Sequence, residues 1–220
     1  MSVSLVALGL TVVVLLIYVW RTARRERTAF AQVLAAERKR ARQMELLAGL
    51  ARQLTGHDDR RTLMTEVVQR LHADFGFEYA TLFLVEDSDL VLHAASGALA
   101  DLAYTHERIA LGRGIVGWVA QTGEAYWTND TASDSHFLPL PGADVLSEVA
   151  VPLRLGKTVI GVLNVESERA DIFDDTDVRT LESLADLLAT GLQTSELIAE
   201  LRRRERLAEA LLRVSAAVSA

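Results

Sequence analysis

Apolar residues change their spacing along this chain, and each change marks an element. Residues 3–20 are an unbroken uncharged run with no polar face. In residues 21–56, Phe30, Val33, Met44, Leu47, Ala51 and Leu54 follow a three-four spacing that Glu37 and Arg40 interrupt. That stretch lacks proline and is rich in Ala, Arg, Glu, Leu and Gln, so it predicts helix with a weak heptad. Residues 60–74 place Leu63, Met64, Val67, Val68 and Leu71 on one helical stripe, and Gly76 ends it. The β-branched and aromatic run 79–86, the turn Asp87-Ser88-Asp89 and the run 90–95 predict a hairpin. A third strand at 107–111, a glycine-entered short helix at 112–123 and a short strand at 125–128 follow. Residues 129–146 are a loop with Pro139 and Pro141. Runs 148–155 and 159–166 form a second hairpin around Gly156 and Lys157. A last helix begins near Asp174, where Asp175 and Asp177 suit a helix N-terminus. From Leu184 through Leu187, Gly191, Thr194, Ile198, Leu201, Glu205, Ala208 and Leu212 it keeps a three-four spacing outward. Consecutive hairpins mean antiparallel pairing, so the fold class is α+β.

The run 3–20 is about 27 Å long as a helix, enough to cross a hydrocarbon core of roughly 30 Å. Tyr18 and Trp20 stand at its end, and Arg21, Arg24, Arg25 and Arg27 follow. Interfacial aromatics and trailing positive charge predict a single-pass anchor in the inner or plasma membrane, with the short N-terminus outside and the rest cytoplasmic. A cleaved signal peptide needs basic residues before the run, and Met1-Ser2 supplies none. Charge divides the remainder. Residues 21–52 carry a net +6, residues 53–193 a net −14 and residues 194–220 a net +1. The expected organisation is an anchor (1–20), a juxtamembrane helical linker (21–52), a central domain (53–193) and a C-terminal helix (194–220). The linker reads as a parallel dimeric coiled coil, as a single helix whose arginines meet anionic lipid, or as both. The segment 209–219 echoes 45–55, each leading from a charged helix into small and apolar residues. It reads as the start of a second copy of the module or as a chance match of Ala/Leu-rich helices.

The net charge of −7 argues against a nucleic-acid partner, and the absence of cysteine excludes disulfides, thiolate metal sites and thiol nucleophiles. Gly112, Gly114 and Gly117 spell G-x-G-x-x-G. A dinucleotide site would also need a longer helix and a parallel return strand. Here hairpins flank a short helix, so tight turning and close packing explain the glycines better, with Gly123 closing the helix.

The ordered set LGRGIVGWVAQTGE (111–124), Asn129-Asp130, VAVPL (149–153), IGVL (160–163) and Phe173 resembles the GAF domain family across residues 45–195. The resemblance implies a six-stranded antiparallel sheet with helices on both faces and a small-molecule pocket over one of them. It also implies dimerisation through the terminal helices and a place in bacterial-style signalling proteins. The short helix and the 125–146 loop should roof the pocket, with Arg108, Trp118, Tyr126, Trp127, Asp130, His136 and Phe137 as candidate lining residues. The alternative makes Trp118 and Trp127 core and Asp130 a local loop cap.

Among cofactors, a covalent bilin is excluded because bilin-binding relatives attach it through cysteine. A cyclic nucleotide is disfavoured, since only Phe173 and Asp177 match that signature while Ser167-Glu168 and Val178 depart from it. Metal is not expected; only His93, His106 and His136 are placed to contribute to haem or metal. No base–nucleophile pair stands out, and the reductases of the family use cysteine, so no enzyme activity is expected. The expected function is a membrane-tethered cytoplasmic sensory module that binds an unidentified small molecule and relays its state through dimer helices. A downstream output domain or partner kinase would complete it. The alternative is a ligand-free dimerisation and scaffolding module at the membrane.

Overall fold

The computed structural model describes residues 60–97, 99–100, 108–139 and 143–218, together with Trp20. The expected anchor (Trp20 apart), the linker, His57, His106 and the upstream half of the repeat lie outside the described residues. Among the described residues, no helix is long and apolar enough to cross a membrane.

Helix α1 (Arg60–Phe75) leads into β1 (Tyr79–Glu86) and β2 (Asp89–Ala95). Strand β3 (Arg108–Ala110), helix α2 (Gly114–Thr122) and strand β4 (Tyr126–Thr128) follow. The chain closes with β5 (Ser147–Leu155), β6 (Thr158–Ser167) and α3 (Asp175–Val218). The strands make one sheet in the order β3-β2-β1-β6-β5-β4, and every pairing is antiparallel. The expected six-stranded antiparallel sheet with helices is what the chain forms.

Both faces of the sheet are covered, which explains why β1, β5 and β6 read as near-continuous apolar runs rather than strict alternations. Alternation still sorts the side chains. On one face Leu82, Val149, Val151, Leu163 and Val165 are buried with the stripes of α1 (Leu63, Val67, Leu71) and α3 (Leu181, Leu184, Leu188, Leu192). On the other, Phe83, Ala150 and Val162 form a second core with Ile115, Val116, Val119 and Ala120 of α2.

Two local devices set the elements' ends. Asp174 accepts from the backbone N–H of Thr176 at 2.7 Å and of Asp177 at 3.0 Å, while Asp177 accepts from Asp174 N–H at 3.0 Å. This reciprocal cap satisfies orphan donors at the start of α3. At Gly117 an added Cβ would stand 2.7 Å from the Ala110 carbonyl oxygen, so only glycine lets α2 lie against β3.

The three-four stripe of α3 divides in two. Leu184 and Gly191 are buried in the sheet core, whereas Leu201 is 59% exposed and Leu197 55%. Leu184 therefore serves the core and not an outer seam. Leu184→Ala should cost about 2–5 kcal/mol of unfolding free energy, and Leu201→Ala less than about 0.5 kcal/mol in the monomeric state. Urea denaturation of both variants checks this.

Candidate functional site

A cavity of about 440 Å³ lies between the sheet and the N-terminal end of α2. Strands β1, β2 and β3 supply Thr81, Phe83, Leu92, Arg108 and Ile109. Helix α2 and the turn before it supply Arg113, Gly114, Ile115 and Val116, and the loop after β4 brings Leu138 and Pro139 over it. Gly114 has φ +73°, and a Cβ there would stand 2.6 Å from Leu138 Cδ1, so glycine lets the loop close on the helix.

The floor is polar. Glu148 on β5 and Glu166 on β6 are Cα partners across the ladder, and Asn164 stands two residues before Glu166 on the same face. Side chains so placed sit about 4.5–5.5 Å apart at Cβ. Glu148 is 4% exposed and Glu166 3%. Neither has a cation within ion-pairing distance among the described residues. Burial pushes the Glu148 carboxyl well above its ordinary range, and the neighbouring Glu166 and Asp134 charges add to this. Burial likewise pushes Glu166 up to about 7. The Asn164 side-chain amide beside them opposes each shift. Glu166 Oε2 and Asn164 Oδ1 are buried without a hydrogen-bond partner. Asymmetric environments of this kind let carboxyls hold or release protons near neutrality. Among the described residues, no three His, Asp or Glu side chains are grouped as metal ligands.

The sequence-predicted residues fall in several places. Arg108 lines the cavity and also forms ion pairs with Glu86 at 3.6 Å and Asp89 at 3.5 Å. Trp118, Tyr126 and His136 form an aromatic cluster, with ring centroids 5.1 Å apart for Trp118–Tyr126, 5.9 Å for Trp118–His136 and 5.4 Å for Tyr126–His136. Phe137 packs against the same core. These four stand beside the cavity, and none of them lines it. Trp127 pairs with Val149, which puts it on the opposite face of β4, 38% exposed. Asp130 is exposed and accepts from Ser133 Oγ at 2.7 Å, a local loop contact. Gly112 and Gly123 have φ +81° and +72° at the two ends of the α2 segment.

The loop is organised by Asp134, which the sequence did not single out, and by Asn129, which it offered only as part of the resemblance. Asp134 accepts from Tyr126 Oη at 2.8 Å and from His136 N–H at 2.8 Å. Asn129 donates to the Phe173 carbonyl at 3.0 Å and accepts its N–H at 3.1 Å, tying the loop to the start of α3. Glu148, Asn164 and Glu166 were missed as well. Turn symmetry alone would have missed the pair: the hairpin closes as Leu155–Thr158, and an irregularity at Leu153/Arg154 shifts the register by one, which brings Glu148 opposite Glu166.

Comparison with known proteins fits this geometry. The GAF domain family model matches residues 57–193. The chain is 28% identical over 136 residues to GAF domain-containing protein A of Dictyostelium discoideum, covering 61% of this chain and 82% of that protein. It is 26% identical over 154 residues to the Nif-specific regulatory protein of Azospirillum brasilense, covering 66% of this chain but a quarter (25%) of that protein. It is 29% identical over 119 residues to the free methionine-R-sulfoxide reductase of Escherichia coli, covering 54% of this chain and 68% of that enzyme. The reductase from Neisseria meningitidis, solved with its substrate, superposes with TM-score 0.65 at 26% identity, covering 71% of this chain and 91% of that one.

The reductases correct the expectation of a non-enzymatic module, since enzymes stand among proteins of comparable similarity. The physical reason is plain. Lack of cysteine removes thiol chemistry alone, and the cavity floor carries two carboxyls of raised proton affinity, a type of group that does acid–base chemistry. By the match over residues 57–193 the chain belongs to the GAF domain family, whose modules occur in regulatory proteins.

Proposed function

We propose that this chain is a GAF sensory module that takes a small molecule into the cavity under α2 and passes its state to the flanking helices of a membrane-tethered dimer. The observation that carries the reading is the cavity itself: about 440 Å³, walled by Phe83, Leu92, Ile115 and Val116, with Glu166 Oε2 and Asn164 Oδ1 unpartnered on its floor. An apolar pocket with a few convergent polar groups is the usual form of a small-ligand site. The Neisseria reductase, solved with its substrate, supports the fold as a holder of a small molecule.

Relay is supported by α3, which covers β5 and β6 and then runs on as the same helix to Val218. A shift of the sheet under a ligand is thus passed to an outer segment bearing exposed Leu197, Leu201 and Leu207. Those leucines support pairing with a second copy. The uncharged run 3–20 and the arginines after it support tethering at the membrane, with the module on the cytoplasmic side.

Two measurements test this. Native mass spectrometry of the full chain released from detergent should give a dimer mass carrying a small-molecule adduct. Ile109→Trp, which fills the cavity from a short edge strand, should abolish the adduct. A dimer free of any adduct in both proteins would favour the ligand-free scaffold instead. Deleting residues 1–20 should move the protein from the membrane pellet to the soluble fraction; an unchanged pellet fraction would sink the anchor.

A further inference from the structure

The floor of the cavity poses an electrostatic problem that the described residues do not solve. Two carboxyls face one another across β5 and β6, each nearly shielded from water. Like charges in such register repel, and in a dry site they do not both ionise near neutral pH. The groups that face them are few. From β6 comes the neutral Asn164 amide, and from β1 Thr81. Tyr79, the Cα partner of Glu166 on β1, is committed to Glu168 at 2.5 Å. From the loop comes Asp134, a third acid, next to His136, whose Nδ1 is 3.8 Å from Asp134 Oδ1. The cations of the wall are Arg108, held by Glu86 and Asp89, and Arg113 at the exposed turn before α2. Among the described residues, no positive side chain reaches the pair. Glu166 Oε2 and Asn164 Oδ1 remain as acceptors lacking a donor.

We propose that Glu148 and Glu166 share one proton while the cavity is empty and surrender it when a cationic ligand enters. This rests on the reading of the cavity as the ligand site. In the exchange the carboxylic O–H bond breaks heterolytically, the bond pair stays on the carboxylate, and the proton leaves to solvent. The ligand's ammonium or amidinium N–H groups then donate to the oxygens that lacked a partner. A positive charge within a few ångströms lowers a carboxyl pKa by about 1–3 pH units, enough to empty the pair near neutral pH. The ligand class is thus a small cation or zwitterion with an apolar body for the Phe83, Leu92 and Ile115 wall. A neutral molecule leaves the proton in place, and an anion meets three acids.

The test titrates the full chain in detergent with n-pentylammonium chloride, and with 1-pentanol as the uncharged control. Calorimetry in phosphate and in ACES, which differ in ionisation heat, counts protons. The expected result at pH 6 is release of about one proton per ammonium bound, falling toward zero by pH 8.5. Affinity should weaken by up to about tenfold for each unit that the pH falls below 7. Glu166→Gln and Glu148→Gln should each abolish the release and flatten the profile; using both guards against one of them misfolding. Without ligand, the raised carboxyl binds a proton in the folded state at pH values where the unfolded chain has lost it. Stability of the empty protein should therefore fall as pH rises from about 5 to 8, with a falling Tm that Glu166→Gln levels. Ammonium uptake with no proton release between pH 6 and 8 would overturn the exchange and leave the cavity as a ligand site. Equal affinity and pH profile for the alcohol would overturn it too, as would a wild-type Tm as level as the variant's. Failure of both probes to bind would overturn the exchange together with the reading beneath it.

Discussion

Strand β6 is buried on both faces from Gly161 to Ser167, and the rest of the structure depends on how its polar positions are met. Toward α1 and α3 it offers Leu163 and Val165, which need only to be covered. Toward α2 it offers Val162, then Asn164, then Glu166. Burying a carboxyl without a counter-charge raises its proton affinity instead of ionising it in place. The fold answers by leaving a space next to these groups where close packing would otherwise continue. The cavity is thus the physical complement of two acids on a central ladder.

The walls of that space are kept in position by polar contacts made at some distance from it. The two-way hydrogen bond between the Asn129 amide and the Phe173 backbone copies a rung of a β-ladder with a side chain. Asp134 gathers Tyr126 and the His136 backbone, and Thr131 Oγ1 donates to the Val145 carbonyl at 2.6 Å. These bonds fix the path that carries Leu138 and Pro139 over the mouth. The segment over the cavity is therefore anchored to the start of α3, the same helix that leaves the domain.

The elements were legible because their periodicities are strong and their stops are glycines and acids. Gly76, Gly123 and the Asp174–Asp177 cap fall where the pattern ends. The site was less legible. Aromatic residues near a loop, such as Trp118, Tyr126 and His136, satisfy one another's faces and sit beside the cavity. Trp127 illustrates the period of two: one step along β4 carries a side chain to the other face. Glu148 and Glu166 are eighteen residues apart, and each reads alone as a strand-end acid; only pairing reveals them as one site. On α3, a single three-four spacing covers both core and exposed outer turns, because helical spacing reports direction and not what lies there. The paired acids were equally out of sight when a non-enzymatic module was expected, an expectation that the reductase relatives do not support.

Helix α3 has 44 residues, and some 26 of them lie beyond Leu192, the last leucine buried on the sheet. That outer arm is about 39 Å long. A stiff rod seated at one end behaves as a pointer. A tilt of about 5° at the sheet, well within the adjustment of one packed layer over another, sweeps its far tip through about 3 Å. Displacements too small to repack the domain's interior thus become, at the tip, steps comparable to a helix register change between paired coils.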